Sequence, residues 1–341
     1  MKAFVITGPH RAGVEEVAPP VPAAGEVVVD VHRAGVCGTD VEFFTGEMQY
    51  LHDGNATFPV RIGHEWAGAV ASVGEGVDRS WLGRRVTGDT MLGCGVCDRC
   101  RDGRQHVCAH RTELGIRGGR PGALAEQVAF PARLLHTLPD EVDDVLGALV
   151  EPGGNALRAV RGAALRPGDA VLVLGPGTIG VLVAMFARAA GARVHLMGRD
   201  DRPAAFARTL GFEGVWTEEQ LPDLPWDAVI DASNAATLPA KAVELVEPGK
   251  RVVLIGLAGS PSLVDTRLLA LKDVTAVGVL SASGGLEGAI AAYASGEVDP
   301  RPLLAATIGL EGLAAVLDGD RPDDAGPGPK VQVDLRRGSQ G

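Results

Sequence analysis

The chain has 341 residues, 46% hydrophobic and 22% charged, a globular balance with enough length for two cores rather than one. Forty-three acidic against thirty-two basic side chains give a formal net charge of -11, which repels nucleic-acid phosphates and anionic lipid surfaces and argues against both as partners. The first apolar run breaks at Gly8 and Pro9, too early for a secretory signal, and no apolar stretch approaches the roughly 20 residues that span a bilayer, so a soluble cytoplasmic protein is expected.

Along the first half, short β-like runs such as EVVVDVHRAGV, WAGAVASVG and LAEQVAF are broken by Gly, Pro and Asp, which predicts an irregular β domain. Between two of these runs lies GCGVCDRCRDGRQHVC, which holds four of the five cysteines. Cys94, Cys97, Cys100 and Cys108 offer four thiolates within one loop, the set for a closed tetrahedral zinc that ties down a segment of about 91–111 with little core of its own. An iron–sulfur cluster or a redox-active CxxC uses the same residue type, but four ligands interleaved with charged residues favour zinc. A nucleic-acid-binding zinc knuckle conflicts with the acidic net charge.

After RPGD at 166–169 the pattern changes to apolar strand candidates alternating with helical ones, the signature of a doubly wound parallel sheet. Its first turn, Gly175-Pro176-Gly177-Thr178-Ile179-Gly180, has G-x-G-x-x-G spacing directly after an apolar strand and opens a helix, which predicts a dinucleotide pyrophosphate at the helix N-terminus. Where an acid would accept from the ribose 2′-hydroxyl of NAD, the next strand ends VHLMGRDDR, placing Gly198 there with Arg199 and Arg202 behind it. A small residue followed by guanidinium suits a 2′-phosphate and favours NADP over NAD, while Asp200 and Asp201 would restore an acid if the alignment slid by two. Ser233, Gly256 and Leu257 fall at later strand ends and are expected to touch the cofactor. From about 286 onward a helix in GGLEGAIAAYASGEV, a second near LEGLAAVLDG, a loop DGDRPDDAGPGPK and a last strand KVQVDL are predicted, and this end is expected to rejoin the first lobe.

The fifth cysteine, Cys37 in AGVCGTDVEFF, is followed by His64 and Glu65 in IGHEWAG and by Glu151 in LVEPGGNA. One thiolate, one imidazole and two carboxylates form the donor set of an open, catalytic zinc. Taken together, GVCGTD, GHEWAG, the four-cysteine lobe, EPGGNA and GPGTIG resemble the zinc-dependent medium-chain alcohol dehydrogenases over essentially the whole length, in the polyol, sugar and threonine dehydrogenase branch. The resemblance implies a GroES-like β-rich catalytic domain from 1–153 and 287–341 and a Rossmann domain from 154–286, with the active site in the cleft. It implies two Zn2+ per chain, with Cys37 and His64 as catalytic ligands and Glu65 and Glu151 competing for the remaining place. It also implies a proton relay beginning at Thr39 and passing to Glu42, where many members carry a histidine. The expected activity is hydride transfer between a secondary alcohol and NAD(P); a zinc-free quinone or enoyl reductase of the same superfamily, or a nucleotide-binding protein without turnover, are the alternatives. A homodimer or homotetramer is expected, paired through the strand in DVTAVGVLSAS.

Overall fold

The structure, a computed structural model, describes residues 1–199, 201–212 and 214–336, and for Asp201 and Arg202 the backbone alone. Its contacts divide into two compact units: Met1–Glu151 with Ala289–Gly296 and Leu303 onward, and Pro152–Gly288 with Glu297–Pro302.

The first unit is β-rich. Strands β1 (Lys2–Gly8) and β2 (Arg11–Glu16) form an antiparallel hairpin. A larger sheet joins β3 (Glu26–Gly35), β4 (Glu65–Val73), β5 (Arg85–Gly88), β8 (Gln127–Pro131), β9 (Leu135–Thr137), β16 (Leu304–Ile308) and β17 (Lys330–Asp334) in the order β16-β17-β3-β4-β5-β9, with β8 also paired to β3. Val27, Val29 and Val31 alternate inward from β3 and pack with Ile6, Trp66, Val86 and Phe130 in one core cluster. The register then decides the chemistry. Gly35, at the end of β3, lies opposite Glu65 at the start of β4 and opposite Gln332 in β17, so Cys37, Glu65 and Lys330 are drawn to one corner. Two short strands, β6 (Met91–Leu92) and β7 (Thr112–Glu113), close the base of the cysteine loop.

The second unit is a six-stranded parallel sheet ordered β12-β11-β10-β13-β14-β15, namely β10 (Ala170–Leu174), β11 (Arg193–Met197), β12 (Gly214–Trp216), β13 (Trp226–Asp231), β14 (Val246–Leu254) and β15 (Thr275–Gly278). This is the doubly wound order, with helices Thr178–Ala189, Asp201–Thr209, Leu238–Leu245 and Thr266–Leu271 as crossovers. All five residues of β10 are buried, as a central parallel strand covered on both faces requires. Its carboxyl end and that of β13 flank the point where strand order reverses, the place such sheets bind ligands. Among the described residues no helix is long and apolar enough to cross a membrane.

Candidate metal centres and dinucleotide site

Cys37 stands at the N-cap of the helix Gly38–Thr45, and the Asp40 carboxylate accepts a hydrogen bond from the Cys37 N–H at 2.9 Å. The helix starts at Gly38, and Asp40 closes its first turn from the third helical position. His64 ends the extended segment before β4, and Glu65 is the first residue of the strand. The ligand atoms of Cys37, His64 and Glu65 all lie within 4.8 Å of one another. Gly35 makes room for this: a Cβ there would come within 2.1 Å of Glu65 Oε2.

The basin is electronegative. Burial alone would discharge His64, yet Cys37 at hydrogen-bonding distance, Asp40 and Glu151 outweigh it and hold the ring well above its ordinary pKa. An environment that binds a proton so firmly is one a dication would also occupy. His64 Nδ1 and Asp40 Oδ1 are buried, have no hydrogen-bond partner among the described residues and lie 3.9 Å apart. That is the loose form of the carboxylate–imidazole contact that orients a metal-binding ring. The donor chemistry and the orphaned atoms therefore fit a zinc ion.

Glu151, in the first turn of the helix Val150–Ala163, is buried beside this group without joining the three-residue ligand cluster. The Thr90 hydroxyl lies 3.3 Å from Glu151 Oε1 and 3.5 Å from the His64 carbonyl, donating to one at a time. Sequence reading missed Thr90 and, more consequentially, Lys330. The Lys330 ammonium donates to both Glu65 oxygens at 2.8 Å and to the Val36 carbonyl at 2.9 Å, with both side chains of the ion pair almost fully buried. A lysine opening an apolar strand was the only signal available. Thr39 and Glu42 sit three apart on the helix Gly38–Thr45, hence on neighbouring positions of one face. Glu42 presents an exposed surface, but partial desolvation of its carboxyl and the adjacent Glu47 push it above the usual carboxylate range.

In the loop between β6 and β7, Cys94, Cys97, Cys100 and Cys108 also bring their sulfurs within 4.8 Å of one another. The Cys94–Cys100 and Cys97–Cys108 sulfurs are 4.0 and 3.8 Å apart. A tetrahedral site with bonds of about 2.3 Å has edges of about 3.8 Å, so the sulfur positions fit one zinc. Backbone N–H groups of Val96 and Cys97 hold the Cys94 thiol down to about 6, and those of Cys94 and His110 donate to Cys108 at 3.5 and 3.4 Å. Thiolates are thus favoured at Cys94 and Cys108, whereas burial pushes the Cys100 thiol up to about 12.

In the second unit, Gly175 follows β10 with φ +91°, and Gly180 lies one helical turn on, where a Cβ would meet the Gly175 carbonyl oxygen at 1.8 Å. Gly177 has nothing within 4 Å of its Cβ position, and with Thr178 and Ile179 it leads into the helix Thr178–Ala189. Ser233, after β13, packs against Gly175 and donates to Asp231, while a Cβ on Gly256 would strike the Ser233 backbone. Gly198 is buried at the end of β11, Arg199 is exposed beside it, and Leu257 is 79% exposed. The side chain of Arg202 and all of Asp200 lie outside the described residues.

Fold and donor sets together define a class: a dehydrogenase made of a GroES-like unit carrying metal-binding residues and a doubly wound unit carrying a dinucleotide turn. Residues 23–140 match the alcohol dehydrogenase GroES-like domain and residues 178–295 the zinc-binding dehydrogenase domain. The chain is 31% identical to an L-threonine 3-dehydrogenase of Sinorhizobium fredii over 98% of both chains. It is also 31% identical to a 2-dehydro-3-deoxy-L-galactonate 5-dehydrogenase of Pseudoalteromonas atlantica, over 86% of this chain and 87% of that one. Among solved structures it superposes on an alcohol dehydrogenase of Escherichia coli CFT073 in complex with NADH (TM-score 0.89, 26% identity, 98% and 99% covered). It also superposes on a zinc-binding dehydrogenase of Sinorhizobium meliloti 1021 bound to NADP (TM-score 0.86, 27% identity, 97% and 98% covered). The chain belongs to the zinc-binding alcohol dehydrogenase family and is an oxidoreductase.

Proposed function

We propose that the protein is a zinc-dependent dehydrogenase of secondary alcohols of the polyol, sugar-derived or amino-alcohol kind. The observation that carries this is the convergence of Cys37, His64 and Glu65 within 4.8 Å, a three-ligand set that could hold a zinc ion and would leave it a place for substrate oxygen. Curated relatives named for a sugar acid and for an amino alcohol support the substrate class.

Zinc held by Cys37, His64 and Glu65 supplies Lewis acidity that lowers the alcohol's pKa. Glu151, close enough to act electrostatically on His64, is the carboxylate that adjusts this set during turnover. Lys330 holds Glu65 in place and balances its charge. The Thr39 hydroxyl accepts the alcohol proton as it gives up its own toward the Glu42 carboxylate, which releases a proton to solvent; the raised pKa of Glu42 brings that carboxylate closer to the operating pH of a general base. Gly175, Gly177 and Gly180 admit the cofactor pyrophosphate, with Thr178 and Ile179 on the helix end and Ser233, Gly256 and Leu257 along the strand ends. Gly198 leaves space for a 2′-phosphate, with Arg199 and Arg202 as its cations, which favours NADP. Cys94, Cys97, Cys100 and Cys108 hold a second, structural zinc. A cytoplasmic homo-oligomer paired through β15 completes the reading, supported by exposed Leu263 and Leu271 at 90% and 84% around that edge strand.

Assay of polyols, sugar acids, aminocyclitols and amino alcohols by NAD(P)H absorbance tests the activity. Cys37→Ala should abolish turnover with the fold intact, whereas activity surviving in that variant would point to the zinc-free reductase chemistry of the superfamily. Arg199→Ala should erase the preference for NADPH over NADH, and an unchanged preference would refute the phosphate assignment.

A further inference from the structure

The first unit contains a cavity of about 330 Å3, at the small end of the range for ligand sites, and none of the proposed metal or cofactor residues lines it. Its apolar wall includes Val5, Val17, Ala56, Val60 and Ile116, and two arginines, Arg61 and Arg120, reach it. Their circumstances differ. Arg120 is already engaged, donating to Glu26 at 2.7 Å and to the Ala129 carbonyl at 2.9 Å. Arg61 is partly buried, and among the described residues no carboxylate or carbonyl lies within ion-pair or hydrogen-bond distance of its guanidinium. Burial draws its pKa down with no acid to oppose the effect.

Backbone pairing holds this cation in place. Val60 exchanges two 2.9 Å hydrogen bonds with Ile6 of β1, and the Arg61 carbonyl accepts from the Gly122 N–H at 2.8 Å. An arginine stem can cover apolar surface for its own sake, but that accounts for the methylenes and leaves a half-buried, solvent-reached guanidinium facing the cavity without a protein partner among the described residues. Glu15, exposed, also lines the cavity and adds one negative charge there.

We propose that this cavity is a second binding site, for a small monocarboxylate with a short hydrocarbon chain: the carboxylate pairs with Arg61 and the chain lies on Val5, Val17 and Ile116. A guanidinium matches a carboxylate with two parallel hydrogen bonds, and the cavity size admits a short chain rather than a fatty acid. The Glu15 charge selects a monoanion over citrate-like polyanions.

Calorimetric titration of the full-length, zinc-loaded protein with hexanoate, and separately with hexanol, tests the site. Hexanoate should bind saturably and hexanol far more weakly. Arg61→Gln should weaken hexanoate by about tenfold or more, the scale of one charge-assisted hydrogen-bond pair. Arg61→Lys, which keeps the charge and loses the fork, should fall between, and Glu15→Gln should tighten hexanoate. Hexanoate binding as tightly to Arg61→Gln as to the wild type would assign it to the metal centre and overturn the proposal, as would equal affinity for hexanol or no binding into the millimolar range.

Discussion

Glu65 and Lys330 lie 265 positions apart in the chain and meet with side chains 2% and 3% exposed. Removing one partner of such a pair strands the other charge in a medium that solvates it poorly, a penalty of about 3–5 kcal/mol. A zinc ion beside Glu65 would supply the missing positive charge. Lys330→Met is therefore expected to lower stability by about 3 kcal/mol or more in chelated protein and by clearly less in zinc-loaded protein, read as a widened gap between the two melting temperatures. An equal loss in both forms would show that Glu65 does not face the metal. The same pair marks how far residue-level reading goes. Cys37, His64 and Glu65 were legible because each sits in a short motif with a chemical reason for its residue type. Lys330 was not, because nothing local distinguishes a buried lysine from an exposed one at a strand start; its role comes from the register of β17 on β3.

At the scale of elements, the dinucleotide unit was the more readable half. Apolar strands and amphipathic helices alternate there with clear periods, and a parallel sheet needs those crossovers. The β-rich unit has strands of two to ten residues joined by irregular loops, so its sheet order depended on long-range pairing that no local period reveals. The glycine turn after β10 separates two reasons for a glycine. Gly180 is required by the fold itself, since a Cβ would sit 1.8 Å from the Gly175 oxygen, whereas Gly177 has open space and an ordinary φ of -80°. Gly180→Ala should thus cost stability in thermal unfolding. Gly177→Ala should leave melting unchanged in the cofactor-free protein and weaken NADPH and NADH binding by about tenfold or more, because its Cβ would enter the open space proposed for the pyrophosphate. A loss of fold in Gly177→Ala would contradict this division.

Strand β11 carries a half-buried titratable ring. His195 lies between Trp216, whose Nε1–H donates to His195 Nδ1 at 3.2 Å, and the edge of Trp226 at a 4.9 Å ring separation. Burial, then Arg193, hold its pKa below the ordinary 6.5. The folded state therefore takes up its proton later than the unfolded one as pH falls. Stability is fully present above the unfolded pKa and is lost as pH falls through the folded value. Melting temperatures measured from about pH 7.5 to about pH 5 should fall more steeply for the wild type than for His195→Phe, which keeps a ring in the same gap. Parallel slopes would mean that His195 titrates alike in both states.

For the whole molecule, the two proposed zinc ions should differ in what their loss does. Around Cys37 and His64, the residues that would hold the metal stand against a core that includes Phe43, Ile62, Trp66 and Phe130, all at 0% exposure, whose apolar burial does not depend on ligand bonds. The cysteine loop is different: between Cys94 and Cys108 only Cys108 is buried, and Val96 is 68% exposed. Its other anchors are few, chiefly Gln105 donating to Asp89 at 2.7 Å and Arg133 donating to the Gly93 carbonyl. A segment with so little apolar surface to bury depends on its ligand bonds for order. Metal analysis is expected to give two zinc per chain, falling to one in both Cys37→Ala and Cys100→Ala. Cys37→Ala should lose activity and keep resistance to protease, while Cys100→Ala should be cut within 94–108 and still retain the circular dichroism of the two large sheets. Were both variants cut alike, or were only one zinc found in the wild type, the separation of a chemical from a structural metal would fall.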